Sequence, residues 1–458
     1  MKKVCVIGLG FVGAAMAIAI AIAGKKNKPI YEVIGVDLEN DQGTQRINSI
    51  NKGIFPFSTE DKNLQSSFLR AIKQGNLKAT ANNSILSEVD IIVVDIQLDI
   101  SYLDDEPQLE FSQFKKAIRD IGSKAKPSAL IVIETTVPPG TCERVVIPTL
   151  QNELNKRGLS NNQFLVAHSY ERVMPGDDYL SSITDYWRVF SGHNEESADA
   201  CEDFLTNVVN VDDFPLTRLS STTASETAKV LENTYRATNI AFIEEWTKFA
   251  EKIGIDLFEI TSAIRIRPTH SNIRFPGIGV GGYCLTKDPT FAPASASQIY
   301  NLELDFPFSS LAVKVNNNMP LHVLSRFVTL LDKDIKKSKV LVCGVSYRQD
   351  VGDTRYSPTE LLVTKLLELG ADVICHDPHV TYWEEMSMQL TSKLPKANNF
   401  DAVIFAVSHK YYKDIDIASW ADGCNLLFDA NSLLSDSQRK LLRENNIRVE
   451  SVGRGDGL

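Results

Sequence analysis

The stretch Met1-Lys2-Lys3-Val4-Cys5-Val6-Ile7-Gly8-Leu9-Gly10-Phe11-Val12-Gly13-Ala14 decides how this chain is read. Residues 4–23 are almost unbroken in their apolar character and end in Ala21-Ile22-Ala23-Gly24. A basic start, an apolar middle and small residues at the end are also the outline of a secretory leader. Three glycines speak against that reading. Gly8, Gly10 and Gly13 stand between a β-type run, residues 4–7, and an Ala-rich helical run, residues 14–23. A second β-type run, Tyr31-Glu32-Val33-Ile34-Gly35-Val36, then ends at Asp37, 24 residues beyond Gly13.

Strand, glycine turn, helix, strand and acid in this order form the dinucleotide fingerprint of a Rossmann unit. Gly8 permits the tight turn, Gly10 lets the backbone approach a pyrophosphate, and Gly13 lets helix and strand pack closely. The helix start, with Leu9, Phe11 and Val12 around the glycines, offers unpaired N–H groups and a partial positive charge to phosphate. Asp37 is placed to accept hydrogen bonds from an adenosine ribose. Its charge would repel a 2′-phosphate, so the expected cofactor is NAD rather than NADP.

Working outward, 458 residues at roughly 150 per domain suggest about three units. A composition of 43% hydrophobic and 23% charged residues excludes disorder, collagen and a small disulfide scaffold. The formal net charge of −10 argues against nucleic acid as a partner, while leaving room for a locally basic pocket around an anionic ligand. Seven scattered cysteines with no CxxC pair fit reduced thiols in a cytoplasm rather than a disulfide framework or zinc site. No other segment approaches the apolar length of a membrane span.

Further β-type runs at residues 91–94, 130–133, 164–167 and 187–190 alternate with helical stretches. They predict a doubly wound parallel sheet over about the first 210 residues. From 221 to 253 there is neither Gly nor Pro, and Ala228, Leu231, Tyr235, Ile240, Ile243 and Phe249 recur at helical spacing. One long helix is expected there, closed by Gly254, with more helix beyond, and it is a natural dimer spine. Alternation resumes at residues 340–345, 371–375 and 402–407. The expected fold class is α/β: two Rossmann-like, doubly wound parallel-sheet domains joined by a central long-helix domain. The expected boundaries are 1–212, 213–325 and 326–458.

The densest candidate for chemistry is the run Pro276-Gly277-Ile278-Gly279-Val280-Gly281-Gly282-Tyr283-Cys284-Leu285-Thr286-Lys287-Asp288-Pro289. Glycines in such number need a reason, either a backbone pressed against a ligand or a plain irregular loop. Cys284 closes the loop with Lys287 after it, where a thiol can ionise to act as a nucleophile, although a lone cysteine is more often a small buried hydrophobe. On the long helix, Glu226, Lys229, Asn233 and Arg236 share one face. A solvated polar stripe would look the same, but a Lys and an Asn together can also steady an oxyanion. The loop Glu134-Thr135-Thr136-Val137-Pro138-Pro139-Gly140-Thr141 and the segment His168-Ser169-Tyr170-Glu171-Arg172-Val173-Met174-Pro175-Gly176 both follow strands, at the edge where open α/β sheets bind ligands. Glu171 is a candidate base. His168, His376 and His409 show no metal-ligand spacing, and no metal is expected.

These pieces, in this order, resemble the UDP-glucose/GDP-mannose dehydrogenase family, the NAD-dependent nucleotide-sugar 6-dehydrogenases. The likeness runs from the glycine turn through the Thr-Val-Pro-Pro-Gly-Thr loop, Glu171-Arg172-Val173, Lys229 to Asn233 and the Cys284 loop. It continues through Tyr347-Arg348-Gln349-Asp350-Val351-Gly352-Asp353-Thr354-Arg355-Tyr356-Ser357-Pro358 to His376-Asp377-Pro378. The resemblance implies a four-electron oxidation of a sugar C6 alcohol to the acid with two NAD. Asp288 and Lys229 would assist alcohol deprotonation, Cys284 would carry a thiohemiacetal and then a thioester, Glu171 would activate the hydrolytic water, and Lys229 with Asn233 would hold the oxyanion. Thr136 and Arg355 are then cofactor residues. Glu171, Arg172, Val173, Arg267, Gly277, Gly279, Gly281 and Arg348 are substrate residues, Arg267 reaching across a homodimer built on the central helix; a higher oligomer is compatible with this.

Departures from the family pattern refine the substrate. Val93-Val94-Asp95-Ile96-Gln97 lacks the usual Thr-Pro, which alters that part of the NAD pocket. Glu171-Arg172-Val173-Met174-Pro175-Gly176 resembles the UDP-N-acetylhexosamine branch, while Thr286-Lys287-Asp288 keeps the Lys-Asp of the UDP-glucose enzymes. The expected substrate is a UDP-N-acetylhexosamine, with UDP-glucose second. The 3-hydroxyacid dehydrogenases need neither the cysteine nor a second α/β domain. A catalytically inactive nucleotide-binding protein would not need the full set around Cys284.

Overall fold

The computed structural model, which describes residues 1–24, 28–104, 106–160 and 163–455, divides the N-terminal apolar run between two buried elements. These are a strand, β1 (Lys2–Ile7), and a helix, α1 (Phe11–Ile22). Every residue of α1 from Gly13 to Ala21 is buried. A helix apolar on all sides is one covered on all sides, which is why the sequence there lacks an amphipathic stripe.

By packing, the described residues fall into two units: Met1–Glu232 with Thr290–Asp305, and Asn233–Pro289 with Phe306–Leu458. The first carries β1, β2 (Tyr31–Val36), β3 (Leu77–Thr80), β4 (Ile91–Val94), a hairpin of β5 (Asp99–Leu103) and β6 (Glu106–Glu110), then β7 (Leu130–Ile133), β8 (Leu165–Tyr170), β9 (Val189–Gly192) and β10 (Thr217–Arg218). The main sheet has eight strands in the order β10-β9-β8-β7-β4-β1-β2-β3. Its direction of winding reverses at β1, which pairs with β2 on one side and β4 on the other. The crevice beyond the carboxyl ends of such strands is where open α/β sheets hold ligands.

One strand departs from the parallel pattern expected over the first 210 residues: β9 runs antiparallel to β8. The segment between them contains only the short helix Ser181–Thr184. It turns the chain back instead of carrying it across the sheet, and antiparallel neighbours need no crossover helix.

The long helix α2 (Thr222–Ile253) ends at Gly254, whose φ of +77° is the left-handed stop that the sequence suggested. The second unit contains a further long helix, α3 (Pro307–Leu330), and strands β11 (Lys339–Cys343), β12 (Asp372–His376), β13 (Tyr382–Trp383), β14 (Met388–Gln389), β15 (Ala402–Phe405), β16 (Leu426–Asp429) and β17 (Arg448–Ser451). Its sheet is wholly parallel in the order β12-β11-β15-β16-β17. The helix α4 (Pro358–Glu368) follows β11, started by Ser357 as N-cap with Pro358 in the first turn. Among the described residues no helix is long and apolar enough to cross a membrane.

Candidate active site

In the first unit the turn after β1 fits a dinucleotide. Gly8 has φ +95°, and a Cβ there would lie 2.4 Å from the Asp95 carbonyl oxygen. A Cβ on Gly13 would lie 1.9 Å from the Gly8 carbonyl oxygen, so helix and turn pack too closely for any side chain. At Gly10 a Cβ would meet nothing within 4 Å, which leaves this face of the turn open. The N-cap of α1 is Gly10, which has no side chain of its own to bond the first N–H groups of the helix. Leu9, Phe11 and Val12 complete the turn and first helical residues.

Asp37 stands at the end of β2. Its Oδ2 accepts from the Leu9 N–H at 3.3 Å and from Arg46 Nη1 at 3.3 Å, and its Oδ1 accepts from the Leu38 N–H at 2.8 Å. Arg46 was not singled out from the sequence. It also lies over the Phe57 ring, itself stacked on Phe11. An acid beside an open glycine turn is the donor and acceptor set that an NAD pyrophosphate and ribose require.

The loop carrying half-buried Thr136 is held from two sides. Thr135 Oγ1 donates to the carbonyl oxygens of Val94 and Ile96, at 3.0 and 2.8 Å. Glu226, on α2, accepts from the Gly140 N–H at 2.6 Å and the Cys142 N–H at 2.7 Å. Burial pushes the Glu226 carboxyl up to about 7, against the pull of these donors. Glu226 is therefore a clamp on the Pro-Pro-Gly loop, a role that helical spacing alone did not reveal.

One turn further along α2, Lys229 is buried and its Nζ donates to the Glu171 carbonyl oxygen at 2.7 Å. The Glu171 carboxylate lies 3.9 Å from the same ammonium and also accepts from the Val173 N–H. Arg172 forms a fork with Glu232, its Nε and Nη2 each at 2.9 Å. His168 is fully buried and shares a 2.7 Å hydrogen bond with Ser225; burial pushes its imidazole down to about 3, so it is neutral at ordinary pH.

In the second unit, Cys284 is the exposed member of seven thiols, the other six being buried. A helical turn begins at it: its carbonyl oxygen accepts from the N–H groups of Lys287 at 3.2 Å and Asp288 at 2.8 Å. Asp288 is 1% exposed, and its Oδ2 accepts from Asn233 Nδ2 at 2.7 Å. Lys287 Nζ sits over the Tyr283 ring at 3.9 Å.

The glycines before Cys284 have local reasons. A Cβ on Gly279 would lie 2.7 Å from the Asn316 carbonyl oxygen of α3. One on Gly281 would lie 2.7 Å from the Tyr356 carbonyl oxygen and from Pro358. Gly277 is less crowded, its nearest neighbour being Asn431 Oδ1 at 3.2 Å.

The Cys284 charge acts on Arg236 and on Arg355, and the charges of Arg274 and Arg348 also act on Arg236. By its spacing on α2 Arg236 reads as part of a polar stripe, and nothing in the sequence around Arg274 marks it out. Arg355 is held by Asp353 through a fork of 2.9 and 2.7 Å and lies 5.9 Å from the Tyr283 ring. The Arg267 side chain is exposed. At the edge of the second sheet, Asp350, His379 and His409 lie within 4.8 Å of one another. Both nitrogens of His409 are already engaged, Nδ1 by the Asp350 N–H at 2.8 Å and Nε2 by Asp377 at 3.1 Å.

Comparison with known proteins joins these observations. The chain matches the UDP-glucose/GDP-mannose dehydrogenase family in its NAD binding domain over residues 2–208, its central domain over 223–318 and its UDP binding domain over 341–436. A UDP-N-acetyl-D-mannosamine dehydrogenase of Methanocaldococcus jannaschii is 31% identical, over 99% of this chain and 97% of that one. The solved structure of a UDP-D-ManNAc dehydrogenase from Pyrococcus horikoshii superposes with a TM-score of 0.82 at 27% identity, over 99% of this chain and all (100%) of that one. That of an NDP-N-acetyl-D-galactosaminuronic acid dehydrogenase from Methanosarcina mazei superposes with 0.79 at 28% identity, over 100% of this chain and 96% of that one. With an open glycine turn and its acid in the first unit, and an exposed thiol in the second, the chain belongs to the UDP-glucose/GDP-mannose dehydrogenase family.

Proposed function

We propose that this enzyme oxidises the C6 alcohol of a UDP-N-acetylhexosamine to the uronic acid, with a covalent stage on Cys284. The observation that carries the reading is an exposed thiol, alone among seven, at the start of a helical turn whose Asp288 is bonded to Asn233. The N-acetylhexosamine preference is supported by the names of the M. jannaschii and P. horikoshii relatives and by Glu171-Arg172-Val173-Met174-Pro175-Gly176.

NAD, when bound, supplies the oxidising power by accepting hydride, one molecule for each of the two oxidations. Gly8, Leu9, Gly10, Phe11, Val12, Gly13 and Asp37 would hold it, with Thr136 and Arg355 toward its reactive end. Asp288 would take the alcohol proton through a water, with Lys229 assisting as a hydrogen-bond donor. The Cys284 sulfur would then add to the aldehyde carbon, and the resulting oxyanion would be steadied by Lys229 and Asn233, the role the family resemblance gives them. After the second oxidation the acyl group remains on Cys284 as a thioester, so a reactive aldehyde never leaves. Glu171 takes a proton from the water that cleaves the thioester, returning the thiol and releasing the acid.

In this reading Arg348 and Arg267 bind substrate anions, Arg267 from a second copy of the chain, and Gly277, Gly279 and Gly281 shape the loop beside the sugar. Arg172 and Val173 position Glu171. The second copy is expected on α2, where Leu231, Tyr235, Phe242, Trp246, Phe249 and Ile253 are all exposed at helical spacing. Reduced thiols and a nucleotide-sugar substrate suit the cytoplasm. A panel of UDP-sugars assayed for NADH formation tests the substrate. Turnover confined to N-acetylhexosamines supports the reading, and turnover confined to UDP-glucose would overturn it.

A further inference from the structure

The departure at Asp95 has a structural setting of its own. In the sheet register Val94 lies beside Ile133, and Ile133 beside His168. The next residues, Asp95, Glu134 and Ser169, therefore form a row just past the carboxyl ends of β4 and β7 and within the last residues of β8. Asp95 lies directly under the glycine turn: its N–H donates to the Ile7 carbonyl oxygen at 2.8 Å, and its Cβ is 3.2 Å from where a Gly13 Cβ would stand.

The pocket around this row holds two carboxyls and one guanidinium. Arg188, from the residue before β9, meets Glu134 Oε1 with its Nη2 at 2.5 Å, and the two side chains are 3% and 1% exposed. Arg188 Nε and Nη1 have no hydrogen-bond partner among the described residues, so its charge is committed to Glu134. Asp95 Oδ2 and Glu134 Oε2 are buried with no N–H or O–H partner among the described residues. Set side by side in the row, the two carboxyls can hydrogen-bond to one another only if one of them carries a proton. Charge balance in a closed space asks for the same thing, since one cation neutralises one carboxylate.

The remaining neighbours do not alter that count. The helix α1 contributes Met16 and no ionisable side chain. The helix Glu195–Val208 contributes Cys201, whose thiol burial pushes up to about 12. Beyond β8, Glu171 adds a further negative charge to the field of both carboxyls.

We infer that Asp95 and Glu134 share a single proton beneath the glycine turn, and that NAD binding is linked to keeping it there. This rests on the reading of that turn as the NAD site. Loss of the proton would place an uncompensated carboxylate under the turn that faces the pyrophosphate, so cofactor and proton favour each other. Burial first, then the Glu134 charge, hold the Asp95 carboxyl well above the ordinary carboxylate range, in keeping with this.

Calorimetric titration of NAD into the full chain, from about pH 6 to about pH 9.5 and in buffers of differing ionisation enthalpy, reads the linkage directly. Wild type is expected to take up as much as one proton per NAD once the pair begins to ionise. Its affinity should then weaken by up to about tenfold per pH unit. Asp95→Asn, which mimics the protonated acid, should bind without proton uptake and with a flat profile. Asp95→Thr provides a second neutral variant should the first fold poorly. Equal proton counts and equal slopes in wild type and the neutral variants would overturn the inference. Failure of wild type to bind NAD at any pH is a different result, which removes the cofactor reading and this inference with it.

Discussion

Asn233 Nδ2 donates to Asp288 Oδ2 at 2.7 Å, binding the long helix α2 to the turn that begins at the exposed Cys284. Asp288 is 1% exposed, so the amide both fixes the carboxyl and compensates part of its lost hydration. Asn233→Ala is expected to lower kcat by roughly two orders of magnitude, with about 1–3 kcal/mol lost in stability. Asn233→Asp should be worse than Ala, because a second carboxylate would face Asp288. Steady-state kinetics and thermal melting check both variants; an Ala variant with unchanged kcat would show that Asn233 only braces the helix.

Cys284 and Glu171 make separable predictions. Cys284→Ser should abolish acid formation while NAD still binds. Glu171→Gln should form the acyl-enzyme but release it at least about a hundredfold more slowly, since general base assistance contributes about that much. Intact-protein mass spectrometry after mixing with UDP-sugar and NAD then finds Glu171→Gln heavier by one acyl group and Cys284→Ser unmodified.

These site residues were legible to different degrees, and the reason is physical. The glycine turn, Asp37 and α2 depend on local rules, a positive φ, a close approach or an apolar period, that a sequence displays in order. Cys284 stood out because of its glycine loop, and family resemblance then supplied its role. Arg274 and the Glu226 clamp were missed or misread because each matters only through a partner far along the chain, and Arg46 because its link to Asp37, nine residues back, joins a strand end to the helix that follows it. The reversal of β9 was hidden for the same reason: a strand's own residues do not record the direction of its neighbour.

The Glu226 clamp carries a pH dependence. Its folded value of about 7 lies above the ordinary glutamate value, so its contribution is fully present below about pH 4 and is lost as pH rises through about 7. The loss is about 3 kcal/mol at most. Wild type should therefore lose thermal stability between about pH 5 and about pH 8, and Glu226→Gln should lose less over the same interval. Parallel melting curves for the two proteins would contradict this.

Arg274 is expected to act in substrate binding through charge. Arg274→Ala should raise the UDP-sugar KM about 10- to 100-fold, the range of one charge-assisted hydrogen bond, with the NAD KM unchanged. An effect on both substrates alike would point to a structural role instead.

The exposed apolar face of α2 is expected to be covered by a second copy. Trp246 and Phe249 are 46% and 53% exposed, and their rings meet edge to face at 5.8 Å. Trp246→Glu should convert a dimer to monomer in sedimentation velocity, while wild type that sediments as a monomer at micromolar concentration would contradict the proposed interface.

The covalent stage on Cys284 is tested most directly by counting reduced cofactor against product with the preferred UDP-sugar. Two NADH for each uronic acid, with no free aldehyde trapped by an added amine or hydrazine, is the predicted result. One NADH per sugar, with an aldehyde or ketone released into solution, would contradict it.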